Sequence, residues 1–507
     1  MKLRIALFAC LLAACGGGTG GTGGGSATGG GAATGGGGSA TGGGSATGGG
    51  SATGGGAATG GGAATGGGGA ATGGGSATGG GGQDAGRMDN VLTQQELTTA
   101  ATFSPLPAVP PDPTNAYADD PAAATLGQRL YFDKSYSGAL TVGYDPADGG
   151  NGGLGDAGVA GLVSCRSCHA SASGADDRSV PNNVSLGTDY GTRNALGVVN
   201  ASFYQWTNWA GRFDSQWSLP TAVAENAKIM KSTRLQVAHT LFDKYRADYD
   251  AIFPTPLDAD LDAGSPDAGR FPPVGKPKAL STDADGPWEM MAPADRTLVN
   301  RIYANYGKAL EAYLRQLTSG NSAFDRFVAG DGTAISDSAK RGFRVFIGTG
   351  KCASCHTGPL FTDNGFHALG VPQTGPHVPA TDLGRFTDIA PLLTSPFNSA
   401  GAFSDDPDAG RLTGAAQAAG QTGQFRTPGL RGLGGSAPYG HSGEFLTLEE
   451  VVAFYNAGGG AVPDGGSLDP LITPLGLSTG DQADLVEFLK TLDGDPVPAA
   501  LEVDTSR

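Results

Sequence analysis

Two short segments of this chain repeat one spacing of reactive side chains: Cys165-Arg166-Ser167-Cys168-His169 and Cys352-Ala353-Ser354-Cys355-His356. Two thiols three positions apart can reach both vinyl groups of a haem and form thioethers. The adjacent histidine then lies beneath the ring and ligates the iron. A zinc ribbon would place its cysteine pairs about 15–20 residues apart, whereas more than 180 residues separate these two. A redox-active dithiol of the thioredoxin kind needs no following histidine and sits in a βαβ setting that this sequence lacks. The pattern points to two covalently attached haem c groups, held by Cys165, Cys168 and His169 and by Cys352, Cys355 and His356.

The rest of the chain must export and position these two sites. Met1-Lys2-Leu3-Arg4 is a short positive region, followed by an apolar run from Ile5 to Leu12 and then Ala13-Ala14-Cys15. This is a secretory signal, too short to span a bilayer. Its end matches a lipoprotein signal, in which Cys15 becomes the lipidated first residue. Of six cysteines, Cys10 leaves with the signal, Cys15 takes the lipid, and the other four are the haem pairs. Residues 16–90 are mostly Gly, Ala, Thr and Ser, with little to bury. They form a flexible tether with a root-mean-square span of about 45 Å over its low-complexity part. The formal net charge of −16 argues against nucleic-acid binding and implies solubility. The expected location is the periplasmic side of a Gram-negative cell envelope, on the outer membrane, with the lipid as the only membrane contact.

Strand signals are scarce and helical periodicity is clearer. Leu298, Ile302, Tyr306, Leu310 and Leu314 recur every four residues through one long helix ending near Gly320. Ser336 caps a helix burying Phe343 and Phe346 and stopped by Gly348. Ser478 or Thr479 caps another, with Leu485, Phe488, Leu489 and Leu492 on its apolar face and Gly494 beyond its end. Residues 254–287 and about 397–423 read as surface insertions rich in Pro, Asp and Gly. The expected fold is mainly α, with two cytochrome c-like helical domains at 91–330 and 331–507, one haem each, and long loops.

Several blocks, in order, resemble the bacterial dihaem cytochrome c peroxidase and MauG family over roughly residues 120–495. They are Leu126-Gly127-x-x-Leu130-Tyr131-Phe132-Asp133, Arg193-Asn194, Asn208-Trp209-Ala210-Gly211-Arg212, and Gly342-Phe343-x-x-Phe346 through Cys352 to Phe361 and Phe366-His367. Phe425-Arg426-Thr427-Pro428-x-Leu430-Arg431, Ala437-Pro438-Tyr439-x-His441-x-Gly443 and Thr447-Leu448-Glu449-Glu450 complete the set. The resemblance implies that the His169 haem reduces hydrogen peroxide and that the His356 haem relays electrons. The electrons come from a donor such as a c-type cytochrome or an oxidisable protein. It places Trp209 between the haems, His441 in a loop near them, and Asn194 with the carbonyls of Ser436 and Pro438 at a calcium ion between the domains. Read without the family, Trp209 is a core aromatic and the Asn194 group an ordinary loop.

The distal ligand of the second haem separates subfamilies: Met in the peroxidases, Tyr in MauG. The corresponding position, fourteen residues beyond His441, is Tyr455. It is either an iron ligand or a core aromatic of its helix. Two departures stand out. The family's peroxide-site glutamine and glutamate fall on Leu219 and Ile229, and neither can move a proton. Glu225, one helical turn before Ile229, could stand in, although Met230 keeps the family's register. The removable histidine of the peroxidases that need reductive activation falls on Ser185. His239 is a surface or core histidine rather than a ligand. Two functions follow: a dihaem peroxidase, MauG-like if Tyr455 ligates, or a tethered dihaem electron carrier without peroxide chemistry.

Overall fold

The computed structural model describes residues 89–143, 154–169, 184–462 and 465–507. The signal, Cys15 and most of the tether lie outside these residues, as does the part of the chain that follows His169.

The described chain is mainly helical. In order it contains α1 (Gln94–Ala100), α2 (Pro121–Phe132), the single turn α3 (Cys165–Cys168), α4 (Ser218–Glu225), α5 (Arg234–Ile252) and the short α6 (Pro287–Met290). There follow α7 (Pro293–Leu314), α8 (Ala323–Val328), α9 (Asp337–Ile347), α10 (Arg385–Thr394), α11 (Leu448–Ala457) and α12 (Thr479–Leu489). Two-residue strands β1 (Phe366–His367) and β2 (Phe425–Arg426) pair antiparallel, Phe366 opposite Arg426. No helix among the described residues is long and apolar enough to cross a membrane.

Local chemistry sets the helix ends. The Ser336 side chain accepts the Ala339 N–H at 3.1 Å, and α9 stops at Gly348, as its sequence predicts. Ser478 and Asp481 form a reciprocal capping box on α12. The long helix α7 ends at Leu314, short of Gly320, because the Arg315, Gln316 and Leu317 N–H groups turn back onto the last carbonyls.

Burial divides into two main cores. The first gathers Leu130, Tyr136, Trp217, Leu241, Tyr245, Tyr303 and Tyr306 from α2, α4, α5 and α7 and the loops between them. The second gathers Phe103, Phe324, Phe343, Phe346, Phe361 and Phe488. The cores interleave along the chain: α1 packs in the second, while Phe397, Phe403 and Val497 pack in the first. The expected surface insertions are therefore corrected in part. Leu257, Leu261 and Phe271 of one, and Phe397 and Phe403 of the other, are buried. Apolar residues scattered among Pro, Asp and Gly were enough to pull both segments inward.

Each core is built on a close helix crossing with glycine at the contact. A Cβ at Gly127 on α2 would stand 1.9 Å from the Ala309 carbonyl oxygen of α7, and one at Gly342 on α9 would stand 1.9 Å from the Asp484 carbonyl oxygen of α12. No side chain fits at either point. Each glycine-bearing helix lies upstream of one of the two cysteine pairs.

Candidate functional site

The second cysteine pair opens on a cavity of about 300 Å³, at the lower end of the range for ligand pockets. Cys352, Cys355 and His356 line it together with Tyr455 of α11, Trp209 and His441, and its other walls are largely apolar, with Leu369, Val371, Val452 and Leu477 among them. The His356 Nδ1 lies 2.9 Å from the Phe361 carbonyl oxygen. That bond orients the ring and leaves Nε2 to bind a metal, the usual arrangement of a ligating histidine. Burial holds the His356 imidazole below its ordinary pKa, against the opposing pull of the Phe361 carbonyl. The ring is therefore neutral, the form that ligates. Burial pushes the Cys352 thiol up to about 12 and the Cys165 thiol up to about 11. The residues fit a haem held by Cys352, Cys355 and His356.

Tyr455 belongs to the same cavity wall. Burial, then the neighbouring Cys352 and Cys355, drive its phenol pKa well above the ordinary value, so a metal would have to displace its proton. Trp209 donates its indole N–H to the Asn194 carbonyl at 2.7 Å. Its ring meets that of His441 edge to face at 6.3 Å. His441 in turn stacks on Phe425 at 3.7 Å and contacts Gln373 Nε2 at 2.5 Å. Burial lowers the His441 pKa to about 4, so it is neutral near pH 7 and can accept from Gln373.

The first pair is packed differently. Cys165 and Cys168 frame a single helical turn, and the Cys168 Sγ lies 3.4 Å from the Leu186 carbonyl. The Tyr131 hydroxyl donates to the His169 carbonyl at 3.2 Å, with Arg166 Nη1 3.4 Å from the same oxygen. His169, Arg166, Tyr131, Val199 and Tyr313 border a gap of only about 20 Å³. A haem here would be held by Cys165, Cys168 and His169.

The structure separates some residues that the sequence grouped. Both carboxylate oxygens of Glu225 are engaged by Arg234, at 2.8 and 2.9 Å. The Arg234 backbone N–H adds a third bond at 3.1 Å. Glu225 is the anionic half of an ion pair with a guanidinium that also covers Trp288 and Tyr303. Leu219 sits on α4, and Ile229 packs against the first core. The Ser185 hydroxyl accepts the Ala195 N–H at 2.6 Å. His239 is half-buried and engaged by backbone: its ring nitrogens face the carbonyls of Leu261, Phe271 and Pro272 at 3.0–3.1 Å. Asn194 and Pro438 do meet, through an amide-to-carbonyl bond of 2.6 Å, while the Ser436 hydroxyl donates to Leu433.

A site with this Cys-x-x-Cys-His and Tyr arrangement in a mainly helical chain defines a c-type haem protein. Comparison with known proteins narrows the class. A family profile described as di-haem cytochrome c peroxidase matches residues 121–333. The cytochrome-c peroxidase IdrP1 of Denitromonas iodatirespirans is 31% identical over 397 residues, covering 77% of this chain and 87% of that protein. The cytochrome-c peroxidase IdrP2 of Pseudomonas sp. (strain SCT) is 40% identical over 189 residues, 37% of this chain and 48% of the relative, so this match spans about half of its length. In fold, the chain is similar to the crystal structure of the diheme peroxidase BthA from Burkholderia thailandensis E264, with a TM-score of 0.52 and 22% identity over 79% of this chain and 94% of that one. The chain belongs to the di-haem cytochrome c peroxidase family, a group of peroxidase-type oxidoreductases that uses haem c.

Proposed function

We propose that this chain is a dihaem peroxidase: hydrogen peroxide is reduced at the Cys165–His169 site, with electrons delivered by way of the Cys352–His356 site and Trp209. The observation that carries the reading is the shared wall of one cavity. Two thiols, an oriented neutral histidine, a tyrosine and the indole of Trp209 all face it. Bound haem would supply redox-active iron at each site, so that two oxidising equivalents can be held in one molecule. The chain's own part is to hold and orient. The Phe361 carbonyl fixes the His356 ring, the Asn194 carbonyl fixes the Trp209 ring, and the apolar wall excludes water.

Tyr455 as the second iron ligand makes the protein MauG-like, an oxidant of another protein or small molecule rather than a consumer of cytochrome c. A phenolate oxygen is a harder donor than a methionine sulfur and stabilises oxidised iron. Calcium at Asn194, Ser436 and Pro438 belongs to the same reading. To bind it, the Asn194 amide must turn its oxygen toward the ion in place of the present bond to Pro438. Lipidation at Cys15 would tether the enzyme in the periplasm, within reach of its electron donor.

The alternative of a tethered dihaem electron carrier draws on a specific observation. Leu219 and Ile229 offer no acid, and Glu225 is held by Arg234. Titration of the purified dihaem protein with hydrogen peroxide separates the two. Rapid, stoichiometric oxidation of both haems and turnover with a donor are expected; slow bleaching alone would leave the carrier.

A further inference from the structure

We infer that the segment Asp382–Asp388 is a bracket that sets the position of Trp209, with Arg385 as its central positioning residue. The inference rests on the reading of Trp209 as the relay between the two sites. Arg385 is buried, and its guanidinium packs in the corner of two rings that meet edge to face at 6.2 Å, 4.4 Å from the Trp206 centroid and 4.2 Å from that of Phe366. Its Nη1 donates to the carbonyls of Ala210, at 3.2 Å, and of Gly211. These are the two peptide groups that follow Trp209. The Trp209 carbonyl itself accepts the Arg426 N–H at 2.7 Å.

The same segment controls the other side of the indole. Asp382 takes the Arg193 guanidinium in a two-pronged fork at 2.6 and 2.7 Å, and Asp388 takes its third nitrogen at 2.7 Å. Arg193 precedes Asn194, whose carbonyl holds the Trp209 N–H. One stretch of seven residues therefore fixes both the backbone after Trp209 and the acceptor of its ring. The fit is tight. Gly211 has φ +62°, and a Cβ there would meet Phe366 at 2.5 Å and Arg385 Nη1 at 2.6 Å. The bracket is anchored in turn where the Arg385 N–H donates to the Gln424 carbonyl at 2.8 Å, next to β2.

A guanidinium suits this role because it is flat, always charged and able to donate while stacked. Packed against two rings it holds a carbonyl-lined loop, with Asp388 as the nearby counter-charge. Trp209 then keeps one orientation as the sites change oxidation state. Electron exchange through an aromatic group depends steeply on distance and angle, so a loose indole would slow the exchange of one electron between sites. No atoms are transferred in that step.

The test uses the dihaem holoprotein and three variants: Arg385→Gln, Arg385→Lys and Trp209→Phe. After one electron is delivered by a flash, its redistribution between the haems is followed optically. The Trp209 N–H hydrogen-bond marker is followed by ultraviolet resonance Raman, assigned by its loss in Trp209→Phe. Expected are a tenfold or greater slowing in Trp209→Phe, a comparable slowing with a shifted marker in Arg385→Gln, and partial recovery of both in Arg385→Lys. If Trp209→Phe slows redistribution but both Arg385 variants match the wild type in rate and marker, the bracket is refuted and the relay stands. If Trp209→Phe leaves the rate unchanged, the relay reading falls and takes the inference with it. Should Arg385→Gln fail to accumulate, Arg385→Lys alone decides, through its marker and rate.

Discussion

The two Cys-x-x-Cys-His segments share a spacing but not a setting. Cys352, Cys355 and His356 line a cavity of about 300 Å³, whereas Arg166 and His169 border a gap of about 20 Å³. The cores differ to match. The second is built on phenylalanine rings, with Phe488 meeting Phe343 at 5.4 Å and Phe346 at 5.1 Å. The first is built on tyrosines whose hydroxyls are individually satisfied, Tyr136 on the Leu130 carbonyl, Tyr245 on Asp133 and Tyr313 on the Leu501 carbonyl. One core is held by apolar area and ring contacts. The other adds directional bonds to its apolar area.

The largest effect should come from withholding haem. Haem would fill the second cavity with apolar contacts, and without it those contacts are lost. Chain produced without haem attachment should exchange its α11 and α12 amides far faster than those of α5 and α7. Equal protection of both pairs would erase the contrast. The next effect concerns acid. His441 titrates at about 4 when folded and near 6.5 when unfolded. The unfolded chain therefore binds the proton first as pH falls. Stability should be intact above pH 6.5 and drop by about 3 kcal/mol by pH 4. Denaturant midpoints of His441→Gln should lack most of that decline; an identical pH profile would remove His441 from the account.

Smaller still is the Glu225–Arg234 pair. Glu225→Gln should cost about 1.5–3 kcal/mol of stability through its lost charged hydrogen bonds and leave peroxide kinetics within about twofold. A large kinetic loss at unchanged stability would return Glu225 to the chemistry. Tyr455→Phe sharpens the comparison most finely. It should change stability by less than about 1 kcal/mol while altering the low-spin spectrum of the second haem alone. An unaltered spectrum would strike Tyr455 from the ligands.

Much of this was legible before folding because it is local. The two attachment motifs, the Ser336 and Ser478 caps and the Gly348 stop depend on neighbours within a few residues. What the sequence hid depends on distant pairing. Glu225 looks available until α5 brings Arg234 against it, and the 254–287 and 397–423 segments look peripheral until Phe271 and Phe397 turn inward. Arg385 carries no spacing signal at all. Its meaning appears only when Trp206 and Phe366, far apart in the chain, meet and form the corner it fills.

The glycine crossings of α2 with α7 and α9 with α12 make one further difference between the halves. Gly342 lies on a helix that ends at Ile347, with only a tight turn before Cys352. Any wedge driven between α9 and α12 must tilt the Cys352–Cys355 turn with it. Gly127 lies on α2, whose Tyr131 hydroxyl donates to the His169 carbonyl at 3.2 Å. A displaced α9 therefore reaches the second pair along the chain, and a displaced α2 reaches the first through a side chain.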